Sequence, residues 1–163
     1  MMIKEMIAYK KILLSLLFLT IALQSALAQG TDSSGQEPLQ GLKSEDPIAQ
    51  IKACREIAKS KNEAAIPLLI NLLENSPDRE VQWNSAVALG LIAKPGQSTS
   101  ALIKSARAGS TKSVRYASLV ALASIQDESV KREYMELINW TLNESNDELA
   151  KDLIQKIKSK VGL

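Results

Sequence analysis

Two stretches of this chain carry nearly the same pattern, 33 residues apart: VQWNSAVALGLI from Val81 to Ile92 and VRYASLVALASI from Val114 to Ile125. Both open on valine, place a bulky aromatic two positions later, and set Val-Ala-Leu at one offset. Such a period constrains the fold more tightly than any composition does. A helix pair cannot bury both its faces alone, and stacking successive pairs makes each copy meet the same neighbours. The register extends further. Leu69-Ile70 maps onto Leu102-Ile103 at an offset of 33, and Ala53, Ile57 and Ala58 map onto Ser85, Leu89 and Gly90 at 32.

The units are helical. Ile66, Leu69, Ile70 and Leu73 stand at i, i+3, i+4 and i+7, the spacing of one helix face. The same spacing predicts helices around Ile48–Ala58, Val81–Ile92, Leu102–Ala106, Val114–Ile125, Tyr134–Thr141 and Leu149–Ile157. Short polar turns separate them, among them Asn75-Ser76-Pro77-Asp78 and Lys94-Pro95-Gly96-Gln97. Asp46-Pro47 reads as a cap followed by proline in a first helical turn. No segment alternates with period two, and Gly and Pro are few, so no strands are expected. The expected fold is all-α, a short superhelix of about three helical hairpins plus a C-terminal helix.

The N-terminus follows another logic. Lys4, Lys10 and Lys11 precede an uncharged run from Ile12 to Leu23, and Ala26 and Ala28 follow in an A-x-A pattern. A basic start, a short apolar run and a small-residue site make up a secretory signal peptide, with cleavage expected after Ala28. The run is shorter than the roughly 20 residues a bilayer core needs, and a retained membrane anchor is the alternative. Residues 1–28 are therefore assigned to the signal, 29–45 to a flexible leader and 46–163 to the repeat domain. The leader, QGTDSSGQEPLQGLKSE, has Gly, Ser and Pro and little that could pack. The expected location is outside the cytoplasm, periplasmic or secreted, with no membrane span after cleavage. The whole chain has 20 Lys and Arg against 18 Asp and Glu, and cleavage would leave 17 of each. That neutrality gives no reason to expect a nucleic acid as partner.

The pattern V-[QR]-x-x-[SA]-[AL]-V-A-L-[GA]-x-I, with a second helix reading Ala65-Ile66-Pro67-Leu68-Leu69-Ile70-Asn71-Leu72-Leu73, resembles the short HEAT-like repeats of the phycobilisome bilin-lyase type. The resemblance covers about residues 46–142. The arginine of the family's Val-Arg pair survives as Arg115, whereas Gln82 and Gln50 stand at the other copies. The family implies an α-solenoid; it includes bilin lyases and an iron-dependent hydroxylase. The hydroxylase's His–Glu iron ligands cannot be supplied by this chain, which has no histidine. Lyase activity would concern a cytoplasmic antenna, against which export argues.

Absence of histidine also removes His-based triads and imidazole acid–base chemistry. With a single cysteine, Cys54, a tight zinc site has no ligand set, and no internal disulfide can form. Cys54 reads as a small buried apolar residue. The pairs Asp127-Glu128 and Asp147-Glu148 sit where helices start and complement the helix dipole. No catalytic, metal or cofactor residue is expected, and the chain reads as a non-enzyme. Trp83 and Tyr116 share one repeat position, with Ile51 near the corresponding place, and are expected to pack between repeats.

The second helices of such hairpins usually line the concave side. There Asn71, Lys104 and Asn139 align in one row, Glu74, Arg107 and Leu142 in the next, and Trp140 falls where Leu72 and Ser105 fall. Asn71, Lys104, Arg107, Asn139 and Trp140 are the candidate contacts for a protein or peptide partner. The function expected is that of an exported binding scaffold or adaptor. The alternatives are an accessory subunit of an enzyme or prosthetic-group system, and a membrane-anchored envelope component.

Overall fold

Helix starts in this chain are written by short polar side chains, and the computed structural model shows the same device used repeatedly. The structure describes residues 33–125 and 127–161. Eight α-helices occur among them: α1 (Ser33–Leu42), α2 (Pro47–Ser60), α3 (Ile66–Asn75), α4 (Arg79–Ile92), α5 (Gln97–Ala108), α6 (Lys112–Ser124), α7 (Lys131–Asn143) and α8 (Glu148–Val161). Single 3-10 turns at Glu63–Ala65 and Glu128–Val130 lead into α3 and α7, and no strand occurs among the described residues. Asp46 accepts from the Ile48 and Ala49 amides, Asp78 from those of Glu80 and Val81, and Thr111 from that of Val114. These bonds satisfy amide donors that a helix start leaves without partners.

The turns before α2, α4 and α8 are also built alike. Ser44, Ser76 and Ser145 hydroxyls accept from the amides of Asp46, Asp78 and Asp147, at 3.1, 3.2 and 3.1 Å. One turn into α2, α4 and α6, a side chain reaches back to a carbonyl six residues earlier. Gln50 donates to Ser44 O at 2.7 Å, Gln82 to Ser76 O at 2.8 Å, and Arg115 to Gly109 O at 3.2 Å. Glutamine thus replaces the family's arginine because both can donate a long-reach N–H to the same carbonyl.

All seven helices expected from apolar spacing are present, as α2 to α8. Within the compact unit Gly35–Leu163, α2, α4, α6 and α8 pack side by side in chain order. A second row contains α3, α5 and α7, with α3 against α5 and α5 against α7. The rows meet through α3–α4, α5–α6 and α7–α8. Between them lie fully buried Ile57, Leu69, Leu89, Leu102, Leu122, Leu137 and Ile154. Each such side chain contributes about 1.5–3 kcal/mol through removal from water, and none could be buried by its own hairpin alone. Small residues set the closest approach. A Cβ on Gly90 would lie 2.7 Å from Ala121 Cα, so α4 and α6 touch there.

One expectation fails. The leader assigned to residues 29–45 contains α1, whose Leu42 is buried and whose Leu39 packs on the core. Gly41 makes this possible, since a Cβ there would meet Ala53 Cβ at 2.8 Å. The tertiary packing outweighs the poor local propensity of Gly35, Pro38 and Gly41. The segment expected to be a signal, the cleavage expected after Ala28, and residues 29–32 lie outside the described residues. Among the described residues, no helix is long and apolar enough to cross a membrane.

Candidate functional site

A concavity of about 630 Å³ lies across the first-helix row, on the outer sides of α4, α6 and α8. Its walls are Trp83, Val87 and Leu91 from α4, Tyr116 and Val120 from α6, and Leu149 and Leu153 from α8. Gly90, Ala117 and Ala121 are buried beneath them, so the groove exists because the helices meet through small residues. No charged side chain lines it. Four of the apolar walls are well exposed: Trp83 at 37%, Leu91 at 53%, Val120 at 49% and Leu149 at 66%. Solvated apolar surface gathered in one concavity is the mark of a binding surface, unlike singly scattered apolar residues.

The repeat writes this surface. Trp83, Tyr116 and Leu149 follow one another at the period of 33, and so do Val87, Val120 and Leu153. At α2 the corresponding positions are Ile51, packed on the core, and Arg55, which donates to Asn84 Oδ1 at 3.1 Å. The stripe is therefore three helices long. Expected inter-repeat packing holds for Tyr116, which also donates to Asp147 Oδ1 at 2.6 Å, whereas Trp83 faces the groove. The period-33 stripe was the available signal, and it reads as core until the tertiary pose shows which side of each helix stays wet.

Asp147 joins neighbouring repeats at the turn into α8. Besides Tyr116 it accepts from the Ala150 amide at 3.3 Å, and Lys112 and Arg115 stand 3.8 Å from its other oxygen. The Tyr116 hydrogen bond, helped by the amide and the two cations, holds its carboxyl below the usual carboxylate range. Burial, with the Asp147 carboxylate as second cause, pushes the Tyr116 phenol up to about 12. At the opposite edge Asp127 accepts from Gly96 N at 2.9 Å and Thr99 Oγ1 at 3.0 Å, which ties two inter-helix turns together. Hydrogen bonds from Ser129 and these two donors hold the Asp127 carboxyl low as well. Both carboxylates are thus consumed by architecture, in line with their expected place at helix starts.

The second-helix row carries the five residues singled out in the sequence. Asn71 (α3), Lys104 and Arg107 (α5), and Asn139 and Trp140 (α7) are all exposed, but they do not share one cavity. Asn71 accepts from Asn75 and borders a depression toward the start of α2. Lys104 pairs with Glu74 at 2.8 Å beside a shallow hollow between α3 and α5. Arg107 and Trp140 do meet, in a recess of about 140 Å³ shared with Arg115, Ser145 and Asp147. Asn139 borders none of these three.

Cys54 is fully buried, its Sγ 3.6 Å from Ser85 Oγ, and burial raises its thiol pKa. Among the described residues, no three His, Cys, Asp or Glu side chains converge on one point. The chemistry on offer at the surface is apolar packing in the groove and polar interaction around Arg107 and Trp140.

The family model described as HEAT repeats matches residues 36–123. No curated protein shows significant similarity to the chain. HEAT-type stacks present extended surfaces to other macromolecules and commonly mediate protein–protein association.

Proposed function

Because the chain belongs to the HEAT-repeat family, we propose that it acts as an exported, non-enzymatic scaffold that holds a protein partner in the groove across α4, α6 and α8. The observation that carries this reading is the repeat-encoded stripe of solvated apolar side chains, written in two rows over three successive helices. Rigid helices with locked caps hold that stripe in a fixed geometry, which lowers the ordering cost of binding. Export rests on the basic start, the Ile12–Leu23 run and the A-x-A site. The exported chain carries equal numbers of acidic and basic residues, so binding relies on apolar packing and shape more than on long-range attraction. The Arg107–Trp140 recess lies between the two helix rows, with Tyr116, Leu119 and Ala150 on its first-row side, and supplies a second, polar foothold for the same or another partner.

The test compares partner capture from the native compartment by four proteins of equal thermal stability: wild type, Val120→Glu, Leu149→Glu, and Lys104→Glu with Arg107→Glu. Loss of the wild-type partner with either groove variant is the expected result. Full retention by both groove variants, with loss in the charge-reversed pair, moves the function to the second-helix row. N-terminal sequencing of the exported protein tests export itself, with a start at Gln29 expected.

A further inference from the structure

We infer that the groove takes an amphipathic α-helix of the partner, laid across α4, α6 and α8, whose uncharged apolar residues recur every seven positions. The inference rests on the groove being the binding surface, as proposed above, and adds what fills it.

Spacing is the first argument. Packed helices stand ~8–10 Å apart, nearer the lower figure where Gly90 meets Ala121, so a segment crossing the row Trp83, Tyr116, Leu149 obliquely meets one large side chain at each slightly longer interval. Seven residues of α-helix advance ~10.5 Å, which brings one apolar residue of a crossing helix to each scaffold helix. An extended strand repeats its side chains every ~6.7 Å on one face, which falls out of step by the second helix. The second row, Val87, Val120, Leu153, lies one helical turn along each scaffold helix. A heptad carries two apolar positions, three and four residues apart, and these face the two rows in turn.

Charge is the second argument. The groove has no charged side chain, and the acidic and basic residues beside it at the start of α8 are already paired. Glu148 holds Lys151 at 2.9 Å, Asp152 holds Lys156 at 2.6 Å, and Asp147 is held by Lys112 and Arg115. A partner face placing a charge there would leave it buried without a counter-ion, so the complementary face is neutral. Length is the third. The second row ends at α2 in Arg55, so three helices fix a partner segment of ~15–18 residues.

The chain contains two tryptophans, Trp83 in the groove and Trp140 on the other row. Trp140→Phe leaves Trp83 as the sole reporter of groove occupancy. Two synthetic peptides of ~18 residues and identical neutral composition serve as probes, one with leucines in a heptad pattern and one with the same leucines alternating. The heptad peptide should shift Trp83 emission to the blue in a saturable way, and the alternating peptide should bind about tenfold more weakly or worse. Val120→Glu, at an exposed position and checked for wild-type circular dichroism, should weaken the heptad peptide about tenfold or more. Equal binding of both peptides overturns the helical occupant and leaves the groove reading in place. Binding of neither, with the native partner still lost on Val120→Glu, does the same. Binding of neither with the native partner retained sinks both. A blue shift that grows with protein concentration alone makes the occupant a second copy of this chain and overturns the inference.

Discussion

Gly90→Ala tests the packing that creates the groove. In an exposed helix this change would stabilise by ~1 kcal/mol, because alanine is the better helix former. Here the added Cβ lands 2.7 Å from both the Cα and the Cβ of Ala121. The first of these is backbone, so α6 as a whole must move away from α4, and overpacking of this kind costs ~1–3 kcal/mol. The clash lies at the upper end of that range because no flexible side chain can yield. Set against the propensity gain, the net loss is about 1–2 kcal/mol. Urea denaturation of the protein starting at Gln29 measures it, with an unchanged m-value and a melting temperature lower by roughly 4–8 °C. Adding Ala121→Gly relieves the clash with the Ala121 methyl group but leaves the clash with its backbone, so it should restore only part of the loss. A Gly90→Ala protein more stable than wild type would refute the close α4–α6 approach, and with it the floor of the groove.

Other consequences follow from the turns. Asp147→Ala removes the bond to Ala150 N and the acceptor for Tyr116, and should cost about 1–2 kcal/mol at neutral pH. The Asp147 carboxyl titrates below its ordinary range when folded, so its contribution is complete above the unfolded value of ~4 and fades as pH falls through the depressed one. The variant's deficit should therefore shrink toward zero in acid, and a deficit constant with pH would contradict the pairing. The same variant should lower the Tyr116 phenol from about 12, read as tyrosinate absorbance in an alkaline titration. Lys61 ends α2 in the left-handed region, at φ 51°, with its side chain exposed. Lys61→Gly should raise stability by about 0.5–1 kcal/mol in urea denaturation, and a loss would contradict that cap geometry.

The seven repeat helices were legible because burial on one face imposes i, i+3, i+4 spacing, and because capping residues are local. Asp46 and Asp78 cap as their positions suggest. Helix α1 was not legible, since Gly35, Pro38 and Gly41 argue locally for a loop. Only the pressing of Gly41 on Ala53 reveals why glycine stands there. The roles of Gln50 and Gln82 were hidden for a similar reason: sequence registers a lost arginine, whereas the carbonyl both residues reach is fixed by the turn. The groove was half visible. Trp83 and Tyr116 announce a shared position, but whether it faces core or water depends on how closely neighbouring helices approach. That distance is set by the small size of Gly90 and Ala121, which does not itself say which face stays wet. The five candidates of the second-helix row stand at exposed positions, yet alignment by row could not show that Asn71, Lys104 and Arg107 border separate depressions.

Site-specific photo-cross-linking in the native compartment tests the central claim most directly, with a photoreactive residue at Val120 or Leu149 in the groove and at Ser60 as an outward control. The account predicts one discrete protein adduct from both groove positions and none from Ser60. No adduct from Val120 or Leu149, or an equal one from Ser60, would contradict it.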